Sequence, residues 1–324
     1  MRAFHLTRFD APAALADLAI PDPGPGQMRV RIHACGLNFA DLLMSKGTYQ
    51  DTPALPFTLG LEVAGVVDAL GDGVSAPAVG TRVAVFGGQG GLAEYGCFDA
   101  ARAVTLPDSM DFVEAAAFQV AYGTSHLALE HKAQLRAGET LLVLGAAGGV
   151  GLTAVEIGKA MGARVIACAR GAEKLEVARR AGADHLIDAA SATITDDIRT
   201  ICKDLGGVDV VYDPVGGAQF TAAMRACNPE GRLLSIGFAS GDVPLIKANH
   251  LLVKNLSVIG FYWGGYLSFR PDLLTGSLAT LLEWYAQGRI RPHVSHTYPL
   301  AEAAEGLELL RARKSTGKVV ITVP

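Results

Sequence analysis

An apolar run that feeds straight into closely spaced glycines, Leu141-Leu-Val-Leu-Gly-Ala-Ala-Gly-Gly-Val-Gly151, restricts this chain more than any other stretch. The segment 140–144 reads as a fully buried strand, and a helical pattern over 150–161 follows at once. Gly145, Gly148, Gly149 and Gly151 have no Cβ to keep the backbone from turning sharply and approaching an anion. The helix that follows offers free N–H groups and a positive dipole end to a pyrophosphate. Ala146 fills the first position of a strict G-x-G-x-x-G pattern, so the glycines alone are weak evidence. Strand before and helix after make the stronger case for a dinucleotide held by Ala147, Gly148, Gly149 and Val150. The alternative is a tight βα turn that binds nothing.

The surroundings of this turn set the fold class. From residue 139 onward, apolar strands at 164–169, 185–187, 208–212, 232–236 and 257–262 alternate with helical patterns at 172–181 and 195–204. Continuous apolar strands with helical crossovers predict a parallel sheet covered on both faces, an α/β doubly wound domain. The first third differs. Short β-type runs at 28–33, 62–69, 82–86 and 93–98 are broken by PDPGPG at 21–26 and GDG at 71–73. The tail shows helices at 272–287 and 300–312, a Pro-rich turn between them and a strand at 318–323, and is expected to pack back on the β-rich part. At roughly 100–200 residues per domain, two domains fit the 324 residues. The expected division is 1–122, then 123–262, with 263–324 returning to complete the first domain.

Composition removes several classes. With 50 % apolar and 19 % charged residues the chain is not disordered. A net charge of −4 and a pI near 6.1 argue against nucleic acid as a partner. Charge-free runs fall short of the ~20 apolar residues of a membrane span, and MRAFHLTRFD carries no secretory pattern. Cys35, Cys97, Cys168, Cys202 and Cys227 are odd in number, widely spaced and free of C-x-x-C. They read as reduced thiols of a cytoplasmic protein.

The end of the second strand selects the cofactor. An acidic residue there would bond a ribose 2′-OH and favour NAD. The segment reads Cys168-Ala-Arg-Gly-Ala-Glu-Lys174 instead. Arg170 is placed to attract a 2′-phosphate, with Lys174 as a second charge, which predicts NADPH. Otherwise both are solvated helix-start residues.

Several separated motifs now carry a resemblance over essentially the whole length. They are Cys35-Gly-Leu-Asn-Phe-Ala-Asp-Leu-Leu43, Gly60-Leu-Glu-Val-Ala-Gly-Val-Val-Asp-Ala-Leu-Gly71, Val79-Gly-Thr-Arg-Val83, the glycine turn, Val211-Tyr-Asp-Pro-Val-Gly-Gly217, Gly237-Phe-Ala-Ser-Gly241 and Ser315-Thr-Gly-Lys-Val-Val320. Together they resemble the zinc-independent NADPH:quinone oxidoreductases of the medium-chain dehydrogenase/reductase superfamily. The resemblance implies a Rossmann domain plus a GroES-like catalytic domain formed by the N- and C-terminal segments. Zinc-dependent members bind their catalytic metal through a Cys, a His in Gly-His-Glu and a second Cys. Cys35 matches the first, Leu61 stands at the second, and Phe118 or Gln119 at the third. One soft ligand does not make a tetrahedral site, so no metal is expected. His293 and His296 are expected at the surface.

Without a Lewis acid, the acceptor must spread the incoming charge over its own π system. This predicts hydride transfer from NADPH to a quinone or an enone. The resemblance puts Asn38 close to the nicotinamide and the acceptor carbonyl, where it would donate to an oxyanion; local turn bonding is its ordinary alternative. Tyr49 matches a substrate-side tyrosine that stacks on a planar ring, whereas a second family tyrosine is replaced by Leu43. Asp41 is expected to order the loop. Phe238, Ser240, Phe261 and Trp263 fall on strand-end loops that flank the cofactor in the family, a position equally suited to core packing. Two other readings stay open: an enoyl-thioester reductase, and a non-catalytic NADPH-binding protein of the crystallin kind. The apolar strand 256–262 would be the last of its sheet, and is expected to pair across a two-fold axis in a homodimer.

Overall fold

Met28, Val30, Ile32 and Ala34 are fully buried, while Arg29, Arg31 and His33 between them are not, the period of a strand with one face on a core. This strand is the spine of one of the two units into which the chain divides: Met1–Val120 with Arg291–Pro324, and Ala121–Ile290. The computed structural model describes residues 1–324 apart from the side chain of Thr195. The first unit opens with β1 (Arg2–Leu6), β2 (Ala14–Asp17), β3 (Gln27–Leu37), α1 (Phe39–Met44), β4 (Phe57–Thr58), β5 (Glu62–Leu70), β6 (Arg82–Phe86), β7 (Tyr95–Asp99), β8 (Ala103–Thr105) and α2 (Phe112–Ala116). Antiparallel pairing joins β3 to β5 and β7, β5 to β6 and β6 to β8, while β2, β1 and β4 form a small separate sheet. This is the expected GroES-like, β-rich part.

The second unit begins within α3 (Gln119–Leu127). It continues through β9 (Thr140–Leu144), α4 (Gly149–Ala160), β10 (Arg164–Ala169), α5 (Ala172–Arg180), β11 (His185–Asp188), α6 (Ile194–Asp204), β12 (Val208–Asp213), α7 (Gly217–Ala226), β13 (Cys227–Ser235), α8 (Ala248–Lys254), β14 (Ser257–Gly260), α9 (Tyr266–Phe269) and α10 (Pro271–Ala286). Its six strands are all parallel, in the order β11-β10-β9-β12-β13-β14. Numbered along the chain, that is the doubly wound Rossmann order, which reverses direction between β9 and β12. Every residue of β9 is buried because the strand has a neighbour on each side. Leu142, Leu144, Ile166, Val211, Phe220 and Leu233 belong to one core cluster of this unit. No helix is long and apolar enough to cross a membrane among the described residues.

The chain then returns through β15 (Val294–Pro299), α11 (Ala303–Arg311) and β16 (Lys318–Thr322). β16 pairs antiparallel with β3, Ile321 opposite Cys35, and parallel with β15. The return starts at Arg291, later than the expected 263. Residues 263–290 stay with the second unit because Leu274, Leu278 and Leu281 of α10 are buried. His126 of α3 also bonds Ser277 at 2.8 Å and meets the Trp284 ring edge-on. β15 occupies the stretch read from sequence as a Pro-rich turn, and α7 and α8 were not visible in the pattern.

Candidate active site

The sharp bend after β9 depends on two glycines. Gly145 has φ +60°, and a Cβ on it would lie 2.8 Å from Val215 Cγ2. A Cβ on Gly151 would lie 2.8 Å from the Gly145 carbonyl carbon. Gly148 then serves as the N-cap of α4 with no side chain to occupy the first-turn N–H groups. Gly148 is exposed and Gly149 and Val150 half-buried, whereas Ala146 and Ala147 are buried. The turn thus presents uncapped backbone donors at the carboxyl end of β9, beside the point where the strand order reverses. There, ligands of open α/β sheets bind.

The neighbouring strand ends complete this edge. Asp213, 1 % exposed, receives Val215 N–H at 2.7 Å and Gly216 N–H at 3.0 Å, which shapes the turn after β12. Burial pushes its carboxyl above the usual range against those two donors. Ser240 Oγ donates to Val215 O at 2.6 Å, and Phe238 is exposed, so both stand over the same turn. Phe261 and Trp263 are buried: Phe261 packs on Tyr266 with centroids 5.5 Å apart, and a Cβ on Gly123 would strike the Trp263 indole. Their packing role is what the geometry displays.

Arg170 follows β10 directly, exposed and without a hydrogen bond or ion pair among the described residues. Its loop is pinned by Asp188 at the end of β11, whose Oδ1 receives Gly171 N–H at 3.0 Å and Ala190 N–H at 2.9 Å. Those donors hold the Asp188 carboxyl below its ordinary value. Lys174 lies half-buried in the first turn of α5.

In the first unit, Asn38 precedes α1 and sits at the centre of a buried charge cluster. Its Nδ2 donates to Glu62 Oε1 at 2.9 Å and to Gly36 O at 3.2 Å. Its Oδ1 accepts from Lys318 Nζ at 2.7 Å. Lys318 Nζ also donates to Glu62 Oε1 and to Leu37 O, both at 2.8 Å, and Val120 N–H reaches Glu62 Oε2 at 2.9 Å. The two charged side chains are 5 % and 1 % exposed. Both protons of the Asn38 amide are therefore taken, and donation to an oxyanion, the role expected from the sequence, has no free N–H behind it. Asp41 does order the loop: Asn38 N–H and Gly60 N–H donate to its two oxygens at 2.8 and 3.1 Å. Its complete burial raises the carboxyl to about 7 against those donors and the Lys318 charge. Tyr49 is half-buried on the loop after α1. Glu62 and Lys318 escaped the sequence reading, although a charged residue at the head of an apolar strand is a signal that it is paired.

Comparison with known proteins adds the family. Residues 24–108 match the alcohol dehydrogenase GroES-like domain, and residues 149–280 the zinc-binding dehydrogenase domain. A quinone oxidoreductase-like protein 2 homolog of Nematostella vectensis is 40 % identical over 92 % of this chain and 82 % of its own length. This chain belongs to the quinone oxidoreductase family of the medium-chain dehydrogenase/reductase superfamily. The quinone oxidoreductase of Thermus thermophilus, solved alone and with NADPH, superimposes with a TM-score of 0.87 at 36 % identity, covering 99 % of this chain and 100 % of that one. A mycobacterial protein complexed with NADPH reaches a TM-score of 0.92 at 30 % identity, with 99 % of each chain covered.

The residues of this quinone oxidoreductase relative do not fit a catalytic zinc. Leu61 and Phe118 are buried hydrocarbon, and Cys35 is a fully buried thiol pushed well above its ordinary pKa by burial. Gln119 is buried with Nε2 unpartnered, an amide where a thiolate would be required. Among the described residues no group of three or more His, Cys, Asp or Glu is placed to hold a metal ion.

Proposed function

We propose that this member of the quinone oxidoreductase family is an NADPH-dependent, zinc-independent reductase that passes hydride to a quinone or another conjugated carbonyl. The observation that carries the reading is the uncapped glycine turn at the reversal of the strand order, with the exposed Arg170 guanidinium at the next strand end. An exposed glycine N-cap with no side chain over the first-turn donors, and an exposed guanidinium, both fit a phosphorylated dinucleotide. Bound there, a reduced nicotinamide supplies the hydride. The first-turn N–H groups of α4 hold the pyrophosphate, and Arg170 with Lys174 attracts the 2′-phosphate. Asp213 and Ser240 keep the loop over the turn in shape. Asn38 and Tyr49 are the proposed substrate-side residues of the first unit. Because the residues provide no ligand set for a Lewis acid, the acceptor has to delocalise the added charge itself. Two relatives solved with NADPH support this cofactor.

The deciding experiment is a screen of NADPH oxidation over quinones, enones, aldehydes and acyl-CoA esters, with NADH in parallel. Turnover of quinones or enones with a higher kcat/KM for NADPH is expected. Activity confined to acyl-CoA esters, or NADPH binding without any turnover, would replace the reading. A homodimer belongs to the same proposal. β14 pairs on one side only, and Leu245, Leu252 and Val253 nearby are 92, 77 and 76 % exposed, an apolar edge that a second copy would cover. A monomer in sedimentation at micromolar concentration would refute it.

A further inference from the structure

Tyr212 is completely buried in β12, where a phenol hydroxyl is costly unless it is paired. Among the described residues its hydroxyl has one partner, Ser125 Oγ at 2.9 Å. Were Ser125 the donor, the phenol proton would be left buried without an acceptor, so Tyr212 donates. Burial pushes the phenol well above its ordinary pKa, which keeps that proton in place. Ser125 passes its own proton on, to Thr153 Oγ1 at 2.8 Å or to Val150 O at 2.9 Å. Thr153 Oγ1 in turn lies 2.9 Å from Val150 O and 3.0 Å from Ala121 O. Three buried hydroxyls, from β12, α3 and α4, thus converge on the backbone at the start of α4, and all of them belong to the second unit. A serine inside a helix ordinarily bonds back to a carbonyl of its own helix. Ser125 reaches across to α4 instead, while Thr153 of α4 takes Ala121 O of α3.

Val150 O and Gly151 N–H are the two ends of one trans peptide unit, and they point in opposite directions. Holding the carbonyl therefore holds the N–H. Gly149, Val150 and Gly151 open α4, and their N–H groups have no acceptor among the described residues. A carbonyl that accepts from a hydroxyl also polarises its own peptide, which makes the N–H at the other end a stronger donor. We propose that Ser125, Thr153 and Tyr212 are positioning residues for the dinucleotide: their hydroxyl relay fixes and polarises the Val150–Gly151 peptide, so that the first turn of α4 presents its N–H groups to the pyrophosphate already aimed. The inference deepens the nicotinamide-dependent reading and rests on it. The three side chains act through the backbone, not on the ligand.

Ser125→Ala alone strands the buried Tyr212 proton and is expected to fold poorly. The working variants are Tyr212→Phe and Tyr212→Phe/Ser125→Ala, with Tyr122→Phe as the control. Tyr122 ties α3 to Glu156, further along α4 and away from Val150. Thermal melts verify folding. Calorimetry then measures NADPH, 2′-phospho-ADP-ribose, which keeps the pyrophosphate and lacks the nicotinamide, and adenosine 2′-monophosphate, which keeps the 2′-phosphate and lacks the pyrophosphate. The double variant should raise the Kd of the two pyrophosphate ligands by about 3- to 10-fold, the range of one hydrogen bond, and that of adenosine 2′-monophosphate by less than about twofold. Tyr212→Phe, which deletes one oxygen, should show part of the same selective loss, about two- to threefold, and decides the matter if the double variant does not fold. Tyr122→Phe should leave the affinity of every ligand unchanged. Equal weakening of adenosine 2′-monophosphate, or an equal loss in Tyr122→Phe, overturns the proposal. A wild type that binds none of these ligands sinks the functional reading along with it. A wild type that binds them, with the variants indistinguishable from it, sinks the positioning role alone.

Discussion

Arg170→Ala tests cofactor choice at the one residue where the structure isolates it. β10 ends at Ala169, and Gly171 N–H is held by Asp188 at 3.0 Å, so the backbone on both sides of position 170 keeps its place when the guanidinium is removed. The loss is then the contact itself. A hydrogen bond to a charged group is worth about 1.5–3 kcal/mol. Arg170 is exposed, and solvent screening puts the whole contact at the low end, about 1.5 kcal/mol. That corresponds to about a tenfold rise in the Kd for NADPH. NADH, which lacks the phosphate, should change by less than about twofold at the same salt, and the NADPH effect should shrink as ionic strength rises toward about 0.5 M. Fluorescence titration with both dinucleotides at two salt concentrations measures all of this. An unchanged NADPH Kd, or equal weakening of both dinucleotides, would show that Arg170 does not read the phosphate.

Three further outcomes follow from the buried polar groups. Lys318→Met should cost about 3–5 kcal/mol in urea unfolding, because Glu62 would be left buried without its partner; a loss under about 1 kcal/mol would mean that the pair is not buried in solution. For Asp41, burial raises the folded-state carboxyl from 3.8 to about 7, so the folded chain holds that proton more tightly than the unfolded one. The resulting stability is complete below 3.8 and is lost as pH rises through about 7, and wild type should therefore weaken relative to Asp41→Asn between about pH 5 and about pH 8; a constant difference over that range would contradict it. Gln119→Leu removes a buried donor without a partner, and should raise the melting temperature by relieving a penalty of about 1–3 kcal/mol; a lower melting temperature would reveal a partner for that amide.

The glycine turn, the strand alternation and the limits of β6 were legible in the sequence because each is decided by local sterics and periodicity. So was the place of β14 at the end of the sheet, since short right-handed crossovers leave few orders open. Asn38 was legible as a residue of interest but not in its role. What it can offer depends on Glu62, 24 residues on, and on Lys318, 280 residues on. No window along the chain brings those three together. Lys318 looks like the solvent end of the strand Lys-Val-Val-Ile-Thr, and only the pairing of β16 with β3 reveals that its ammonium lies inside. The return at Arg291 was missed for a related reason. The apolar face of α10 fits either unit by pattern, and the bond from His126 to Ser277 decides between them.

The insertion of β16 beside β3 also orders events during synthesis. The second unit lies wholly upstream of Arg291, so a ribosome can release it complete while the first unit still lacks a strand. Until β16 emerges, β3 has an open, apolar flank and Glu62 has no cation to neutralise it. β3 is thus completed by a strand translated only after the whole second unit, and until then the nascent chain carries a half-built sheet.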